Sequence, residues 1–135
     1  MNNLKVHHIG YLVKKIDKAV TVFSGLGYTA GAVTRDTARG IDICFLRKDS
    51  LCVELISPFT GTSTVSGLMD RYKNCAYHIC YESAQFETDL DGLEKEGWHR
   101  IGEPMPAPAL GGRRVVFLMN PVIGMIELLE LLISP

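Results

Sequence analysis

The chain has 135 residues, of which 47% are hydrophobic and 21% are charged, a composition typical of one globular domain and unlike that of a disordered protein. Its 14 Lys and Arg residues are balanced by 15 Asp and Glu residues, which leaves a net charge of −1. We therefore expect neither nucleic acid nor an anionic membrane surface as a partner, because both attract strongly basic proteins.

The first half of the chain carries the signals of one strand, one helix and three further strands. Residues 4–13 are apolar and rich in Val, Ile and Tyr, which predicts a strand. Apolar residues then recur at helical spacing, at Ile16, Ala19, Val20 and Phe23. Gly25 and Gly27 end this predicted helix. Three strands are expected near 29–35, 40–47 and 51–57.

The second half repeats this order after a linker, Pro58 to Asn74, in which Val65 to Tyr72 can form a helical turn. A strand is predicted over 76–82 and a helix over 84–96. The apolar face of this helix is expected to contain Phe86, Leu90 and Leu93. Further strands are expected near 98–103, 113–119 and 123–132. The Pro- and Gly-rich segment from Glu103 to Arg114 predicts a long loop, a candidate lid.

The two halves are related by an internal repeat. At an offset of 70 residues, HHIGYLV (7–13) aligns with YHICYES (77–83), and Gly27-Tyr28 aligns with Gly97-Trp98. Phe45-Leu46 matches Phe117-Leu118 at an offset of 72 residues, and Glu54 matches Glu127 at 73. We predict a single α+β domain over 1–135, with repeats 4–58 and 76–132. Its two tandem β-α-β-β-β modules would form one cleft lined by curled sheet.

The cysteines and the apolar segments predict a cytoplasmic protein with reduced thiols. No C-x-x-C pair is present, and three of the four cysteines lie in apolar runs, where a thiol behaves as a buried apolar group. We expect no signal peptide, since MNNLKVHHIG lacks a long apolar run after Lys5. The most apolar stretch, 122–133, contains Glu127 and Glu130 and is too short to span a bilayer.

Two histidines and two glutamates occupy matching positions of the repeat. His8 and His78 lie in the first strand of each half, whereas Glu54 and Glu127 lie in the fourth, among apolar residues. A carboxylate on a buried strand face is costly unless it is paired or binds a metal. Taken singly, a histidine in a strand is more often a hydrogen-bonded core or rim residue than a ligand. Glu127 alone is compatible with a charge on an edge strand, and Glu54 with an ion pair to an arginine. Taken together, they predict one divalent cation bound by all four side chains.

Two other histidines are weaker candidates. His7 should face the opposite side of its strand from His8, and its repeat mate is Tyr77. His99 has no matching residue in the other half and is expected at the surface.

The motifs HHIGYLV, VELISP, YHICYES and GMIELLE resemble the vicinal oxygen chelate superfamily, from His8 to Glu130. The resemblance implies metal ligation by His8, Glu54, His78 and Glu127. It is closest to short bacterial glyoxalase I, which carries the same His-Glu-His-Glu set, and to methylmalonyl-CoA epimerase, which commonly carries Gln where Glu54 stands. Extradiol dioxygenases usually have longer chains. Bleomycin-resistance proteins share the fold but lack the ligands, so a binding protein without catalysis is a further alternative.

The resemblance implies proton removal from a carbon next to a carbonyl. In the glyoxalase I reaction, the hemithioacetal of methylglyoxal and a thiol such as glutathione becomes an S-lactoyl thioester through an enediolate. By resemblance, Glu127 is the base and Glu54 its partner on the opposite side. Imidazole and carboxylate ligands suit several divalent metals, with Ni²⁺ or Co²⁺ expected first and Zn²⁺ second. Family members are commonly homodimers.

Two arginines at the end of the 103–114 segment are candidate substrate ligands. Arg113 or Arg114 can clamp a carboxylate or phosphate, but neighbouring strand residues face opposite ways, so only one of them can do so. Two solvated arginines at the start of a strand are an equally good interpretation. Arg35 and Arg39 are weaker candidates.

Overall fold

The computed structural model describes residues 3–131 and confirms the α+β class with a doubled β-α-β-β-β order. The first module consists of β1 (Lys5–Leu12), α1 (Ile16–Gly25), β2 (Thr29–Asp36), β3 (Ile41–Lys48) and β4 (Leu51–Pro58). The short helix α2 (Ser66–Tyr72) follows, where a helical turn was predicted. The second module consists of β5 (Cys75–Ser83), α3 (Phe86–Lys95), β6 (His99–Pro106), β7 (Arg114–Asn120) and β8 (Gly124–Glu130).

The strands of the first module lie in the order β2-β3-β4-β1, and those of the second module lie in the equivalent order β6-β7-β8-β5. Within each module the first strand pairs in parallel with the fourth, and the remaining pairs are antiparallel hairpins. Two parallel neighbouring strands need a crossover connection. α1 lies in the connection from β1 to β4, and α3 lies in the connection from β5 to β8. The two modules therefore share one strand order and one set of strand directions.

Two compact units are apparent, one formed by His8–Tyr77 and the other by residues 78–131 together with residues 3–7. The boundaries between the units fall inside β1 and β5. The assignment of a single domain with repeats 4–58 and 76–132 stays a prediction. Residue 132, the predicted end of the repeat and of the last strand, lies outside the described residues.

In the His8–Tyr77 unit, α1 covers one face of the sheet. Its core is formed by Val13, Ile16, Cys44, Leu46, Val53 and Leu55. The predicted apolar stripe of the helix, which includes Val20 and Phe23, packs against this cluster. Tyr28 follows the helix and makes an edge-to-face contact with Phe23, with ring centroids 5.1 Å apart.

The second unit has the equivalent core under α3, formed by Phe86, Leu90, Leu93, Val116, Leu118, Ile126 and Leu128. The three helix residues of this cluster are those predicted from the spacing. Trp98, the repeat mate of Tyr28, packs against it as well. Each aromatic follows a glycine with positive φ, 96° at Gly27 and 99° at Gly97. That conformation strains other residues, which explains the matching Gly-aromatic pairs.

The prediction of a long loop over 103–114 is wrong for the first part of this segment. Strand β6 continues to Pro106 and pairs with β7, Met105 with Val115 and Pro106 with Arg114, beyond an irregularity that follows Ile101. Proline removes a backbone donor, which argued for a loop, yet β6 is an edge strand, where proline is tolerated. The connection that is not strand spans only 107–113 and contains a 3-10 turn, Pro108–Leu110.

Within the described part of the chain, none of the helices has the length and apolar character needed to cross a membrane.

Replacing Leu90 by Ala should test the core under α3. Leu90 is 1% exposed, so we expect the Leu90→Ala variant to lose about 2–5 kcal/mol of unfolding free energy. Val22→Ala in α1 is the control, because Val22 is 67% exposed and should change stability by less than about 0.5 kcal/mol. Urea unfolding measures both. Equal losses in the two variants would contradict the assigned core.

Candidate functional site

The His8–Tyr77 unit contains a buried pair formed by His8 and Glu54. β1 and β4 are parallel neighbours, with Gly10 opposite Glu54. The two side chains lie on the face of the sheet opposite α1, because Val53 and Leu55 point into the helix-covered core and strand residues alternate. His8 Nε2 lies 3.3 Å from Glu54 Oε1, and these side chains are 0% and 6% exposed.

The second unit contains the same pair, His78 and Glu127, in the same setting. Cys80 on β5 lies opposite Glu127 on β8, as Gly10 lies opposite Glu54. Ile126 and Leu128 point into the core under α3, so Glu127 faces the other way. His78 Nε2 lies 3.3 Å from Glu127 Oε1, and the exposed fractions of the side chains are again 0% and 6%.

Each histidine also contacts a phenylalanine of its own module. Phe45 lies opposite Glu54 on β3 and meets the His8 ring edge to face, with centroids 5.5 Å apart and planes at 73°. Phe117 lies opposite Glu127 on β7 and meets His78 in the same way, at 5.1 Å and 85°. Sequence reasoning missed the role of these phenylalanines. The signal was available, since both belong to the matched Phe-Leu pairs of the repeat.

The chemistry of these donors fits a divalent cation. Imidazole nitrogen and carboxylate oxygen are good ligands for first-row transition metals. Each glutamate is buried beside an imidazole, where a nearby cation would offset the cost of burying its negative charge. Each buried pair, His8 with Glu54 and His78 with Glu127, offers one imidazole nitrogen and one carboxylate oxygen of this kind.

The other two histidines lie in less enclosed settings. His7 is half-buried on β1, and His99 is exposed on the edge strand β6. The two buried pairs, His8–Glu54 and His78–Glu127, include neither of them.

Arg113 forms an ion pair on the face of β5 that holds His78. Its Nη1 donates to Glu82 Oε2 at 2.6 Å, and Glu82 shares that face because residues 78, 80 and 82 alternate with the core residue Tyr81. The side chain is 17% exposed. Its use as a substrate ligand stays a prediction.

Arg114 lies on the helix-covered side. It donates to Glu130 and Glu87, at 2.7 and 2.9 Å, and its guanidinium sits 4.9 Å from the ring centroid of Phe86. Hydrogen bonding to Arg114 lowers the pKa of Glu130, and the same contacts raise the pKa of Arg114. These contacts give Arg114 a stabilising role between β7, β8 and α3; its use as a substrate ligand also stays a prediction.

The weaker candidates Arg35 and Arg39 also have carboxylate partners. Arg35 binds Asp42 through two hydrogen bonds of 2.9 and 3.0 Å, which lower the pKa of Asp42. Arg39 Nη1 donates to the buried Asp36 at 2.8 Å and holds the turn between β2 and β3. Cys44, Cys52, Cys75 and Cys80, which all lie within residues 3–131, form no disulfide, and burial raises the pKa of Cys44 and Cys52.

Comparison with known protein families shows to which family this chain belongs. Residues 7–117 match the model of the glyoxalase/bleomycin resistance protein/dioxygenase superfamily. This match covers most of the chain, including His8, Glu54 and His78. The chain belongs to this superfamily. The resemblance inferred from the sequence motifs is thereby confirmed. No curated protein matches the chain in sequence.

Solved structures share the superfamily fold along the whole chain. A hypothetical protein from Bacillus halodurans superimposes with a TM-score of 0.86 at 22% identity, covering 98% of each chain. Methylmalonyl-CoA epimerase from Mycobacterium tuberculosis gives 0.81 at 19% identity, covering 96% of this chain and 88% of that chain. A Streptomyces coelicolor methylmalonyl-CoA epimerase in complex with 2-nitronate-propionyl-CoA gives 0.80 at 20% identity, covering 97% and 98%. At these identities the likeness establishes the fold.

The ion pair between Arg114 and Glu130 predicts a contribution to acid stability. Because the folded-state pKa of Glu130 is lowered from 4.5, its contribution is fully present above pH 4.5 and is lost as pH falls through the lowered value. We expect Glu130→Gln to be less stable than the wild type at pH 7 and to approach it at low pH. Urea unfolding at several pH values measures this. Glu103→Gln is the control, since Glu103 is 81% exposed; an unchanged pH dependence in Glu130→Gln would contradict the assignment.

Proposed function

We propose that His8, Glu54, His78 and Glu127 bind one divalent metal ion and that the protein catalyses proton transfer at a carbon next to a carbonyl. The observation that carries this proposal is the buried His-Glu pair, with the same 3.3 Å separation, at matching positions of both modules. A repeat that only needed a stable sheet would place apolar residues at these four positions, because burying carboxylates is costly. The fold of the superfamily supports the proposal as well.

The metal ion would act as a Lewis acid that stabilises negative charge on the substrate oxygen as the neighbouring carbon loses its proton. Ni²⁺ or Co²⁺ is our first expectation and Zn²⁺ the second. Two imidazoles, from His8 and His78, and two carboxylates, from Glu54 and Glu127, would hold the ion.

The glutamates are the groups that move the proton. Glu127 takes it from the substrate carbon, and Glu54 serves as the acid-base partner on the opposite side. Both side chains are 6% exposed, so the groups that would hold the proton are largely removed from water. Phe45 and Phe117 pack against the histidines and hold the imidazole rings in position.

Our first candidate reaction is that of a glyoxalase I. The substrate is the hemithioacetal of methylglyoxal and a thiol such as glutathione. Glu127 removes the C1 proton, the electron pair of the C–H bond forms an enediolate with the adjacent carbonyl, and a proton returns at C2. The proton of the C1 hydroxyl passes to the C2 oxygen, which leaves the S-lactoyl thioester. The feature that favours this candidate is a glutamate, rather than a glutamine, at position 54.

The second candidate is epimerisation of methylmalonyl-CoA. Similar structures at TM-scores of 0.81 and 0.80 are methylmalonyl-CoA epimerases, which favours this reaction. In this case the proton is removed from C2 on one face and returned to the same carbon on the other, a task suited to two carboxylates. A binding protein without catalysis is the third candidate, disfavoured by the complete set of four ligands. A cytoplasmic homodimer is the assembly and location that we propose.

Metal binding can be tested by comparing a substitution of His8 with the same substitution of His99. We expect His8→Ala to lose most of its bound metal, because alanine offers no ligand atom at one of the four proposed positions. His99→Ala is the matched control, since His99 is exposed and outside the proposed ligand set. Metal analysis by mass spectrometry after loading with Ni²⁺, Co²⁺ or Zn²⁺ measures the stoichiometry. Full metal content in His8→Ala would refute the proposed ligand set.

The catalytic role of Glu127 is tested by Glu127→Gln. This variant keeps an oxygen ligand, so we expect it to fold and retain most of the metal. Turnover should fall about a thousandfold, in the range attributed to one acid-base group. Glu103→Gln is again the control, because Glu103 is an exposed carboxylate. Near-normal turnover in Glu127→Gln would remove this residue from the mechanism.

The two reactions are separated by substrate. The wild-type protein is assayed for thioester absorbance with methylglyoxal and several thiols, and for solvent deuterium incorporation into methylmalonyl-CoA. We expect turnover of the hemithioacetal. Deuterium exchange without thioester formation would establish the epimerase, and metal-loaded protein that is inactive in both assays would support the binding protein.

A further inference from the structure

Arg47 lies on the same face of the first-module sheet as Glu54. Cys44 and Leu46 of β3 point into the core under α1, so Phe45 and Arg47 point the other way. Phe45 lies directly opposite Glu54, and Arg47 is the next residue of β3 on that face. Two residues along a strand span about 7 Å, so the Cα of Arg47 lies about 7 Å from that of Phe45, the residue opposite Glu54.

Arg47 differs from the other arginines in its partners. Five of them, Arg35, Arg39, Arg100, Arg113 and Arg114, form ion pairs with carboxylates. Arg71 lies over the ring of Tyr72. Over residues 3–131, no ion pair involves Arg47, and its side chain is exposed. The guanidinium of Arg47, exposed on the face of the sheet that holds Glu54, is therefore available to bind an anion.

Arg47 also lines a cavity of about 550 Å³ within the His8–Tyr77 unit. Its lining includes Gly27, Thr29, Phe45, Arg47, Lys48 and Asp49. Lys48 Nζ donates to the backbone oxygen of Leu26 at 2.9 Å, so this ammonium is already engaged at the end of α1. Asp49 adds one negative charge in the turn after β3. Arg47 is thus the side chain of this cavity best placed to bind an anionic ligand.

The repeat shows that the fold does not require this charge. At the offset that matches Phe45 to Phe117, Arg47 corresponds to Met119 on β7. Both positions are exposed strand residues. One module thus presents a cation where the other presents a thioether, although the two frameworks are the same.

We infer that Arg47 binds a carboxylate of the substrate and is a specificity-determining residue; this rests on the proposed function. A guanidinium binds a carboxylate through two parallel hydrogen bonds. Arg47 is only two residues along β3 from Phe45, which lies opposite Glu54. This short separation favours an anionic group that the substrate carries close to its reacting carbon. Methylmalonate carries its carboxylate on the reacting carbon, and glutathione carries carboxylates at the ends of its short tripeptide. The phosphates of coenzyme A are separated from its sulfur by the long pantetheine arm.

The test measures binding without turnover, by isothermal titration calorimetry. The probes are S-methylglutathione, its diester with both carboxylates masked, methylmalonate and coenzyme A. The variants are Arg47→Gln and Arg47→Lys, with Arg71→Gln as the matched control, an exposed arginine outside the cavity. Because Arg47 is exposed, its substitution should leave the thermal unfolding temperature unchanged.

We expect Arg47→Gln to weaken binding of S-methylglutathione or methylmalonate by about tenfold to a hundredfold, the range of a charge-assisted contact. Arg47→Lys should recover part of the loss, and Arg71→Gln should bind like the wild type. The diester should bind the wild type and Arg47→Gln equally. Equal carboxylate binding in Arg47→Gln, no binding of either carboxylate probe to the wild type, or a loss confined to coenzyme A would each overturn the inference.

Metal content and turnover of the same samples separate this inference from the proposed function. Arg47-dependent binding by a protein without metal or turnover would refute the proposed function and leave the carboxylate site standing. Normal metal content and turnover, with binding and KM unchanged in Arg47→Gln, would refute the carboxylate site alone.

Discussion

The burial of a glutamate beside a histidine, once in each module, is the constraint on which the rest of the molecule depends. A carboxylate removed from water loses several kcal/mol of solvation free energy unless its surroundings compensate. Here the first strand supplies an imidazole and the fourth strand a carboxylate, 3.3 Å apart, because the two strands are parallel neighbours. The crossover through a helix makes this adjacency possible and covers the opposite face with apolar side chains.

The duplicated framework separates what the fold needs from what one module adds. Both modules contain the His-Glu pair, the edge-to-face phenylalanine and the glycine with positive φ that precedes the aromatic residue after the helix. These features follow from strand pairing and helix packing, so they occur twice. Arg47 and Met119 occupy equivalent positions without a common structural task. Differences between modules of one framework are therefore the places to look for substrate specificity.

Much of the architecture was predictable because it depends on local patterns. Helical spacing identified the apolar faces of α1 and α3, and the repeat identified the doubled strand order. The end of β6 was not predictable in this way. Proline and glycine in this segment favoured a loop, whereas tertiary structure made the segment an edge strand, where proline carries little cost. Whether a segment lies at a sheet edge depends on strand order, which no local pattern contains.

The sequence by itself determined the family, the repeat and the four candidate ligands. These depend on matching residue types at matching spacing, which can be recognised without the tertiary structure. Only the tertiary structure decided which side chains already have partners. It paired Arg113 with Glu82 and Arg114 with Glu130 and Glu87, and it left Arg47 exposed beside a cavity. Partners such as Arg113 and Glu82 lie far apart in the chain, and long-range strand pairing brings them together.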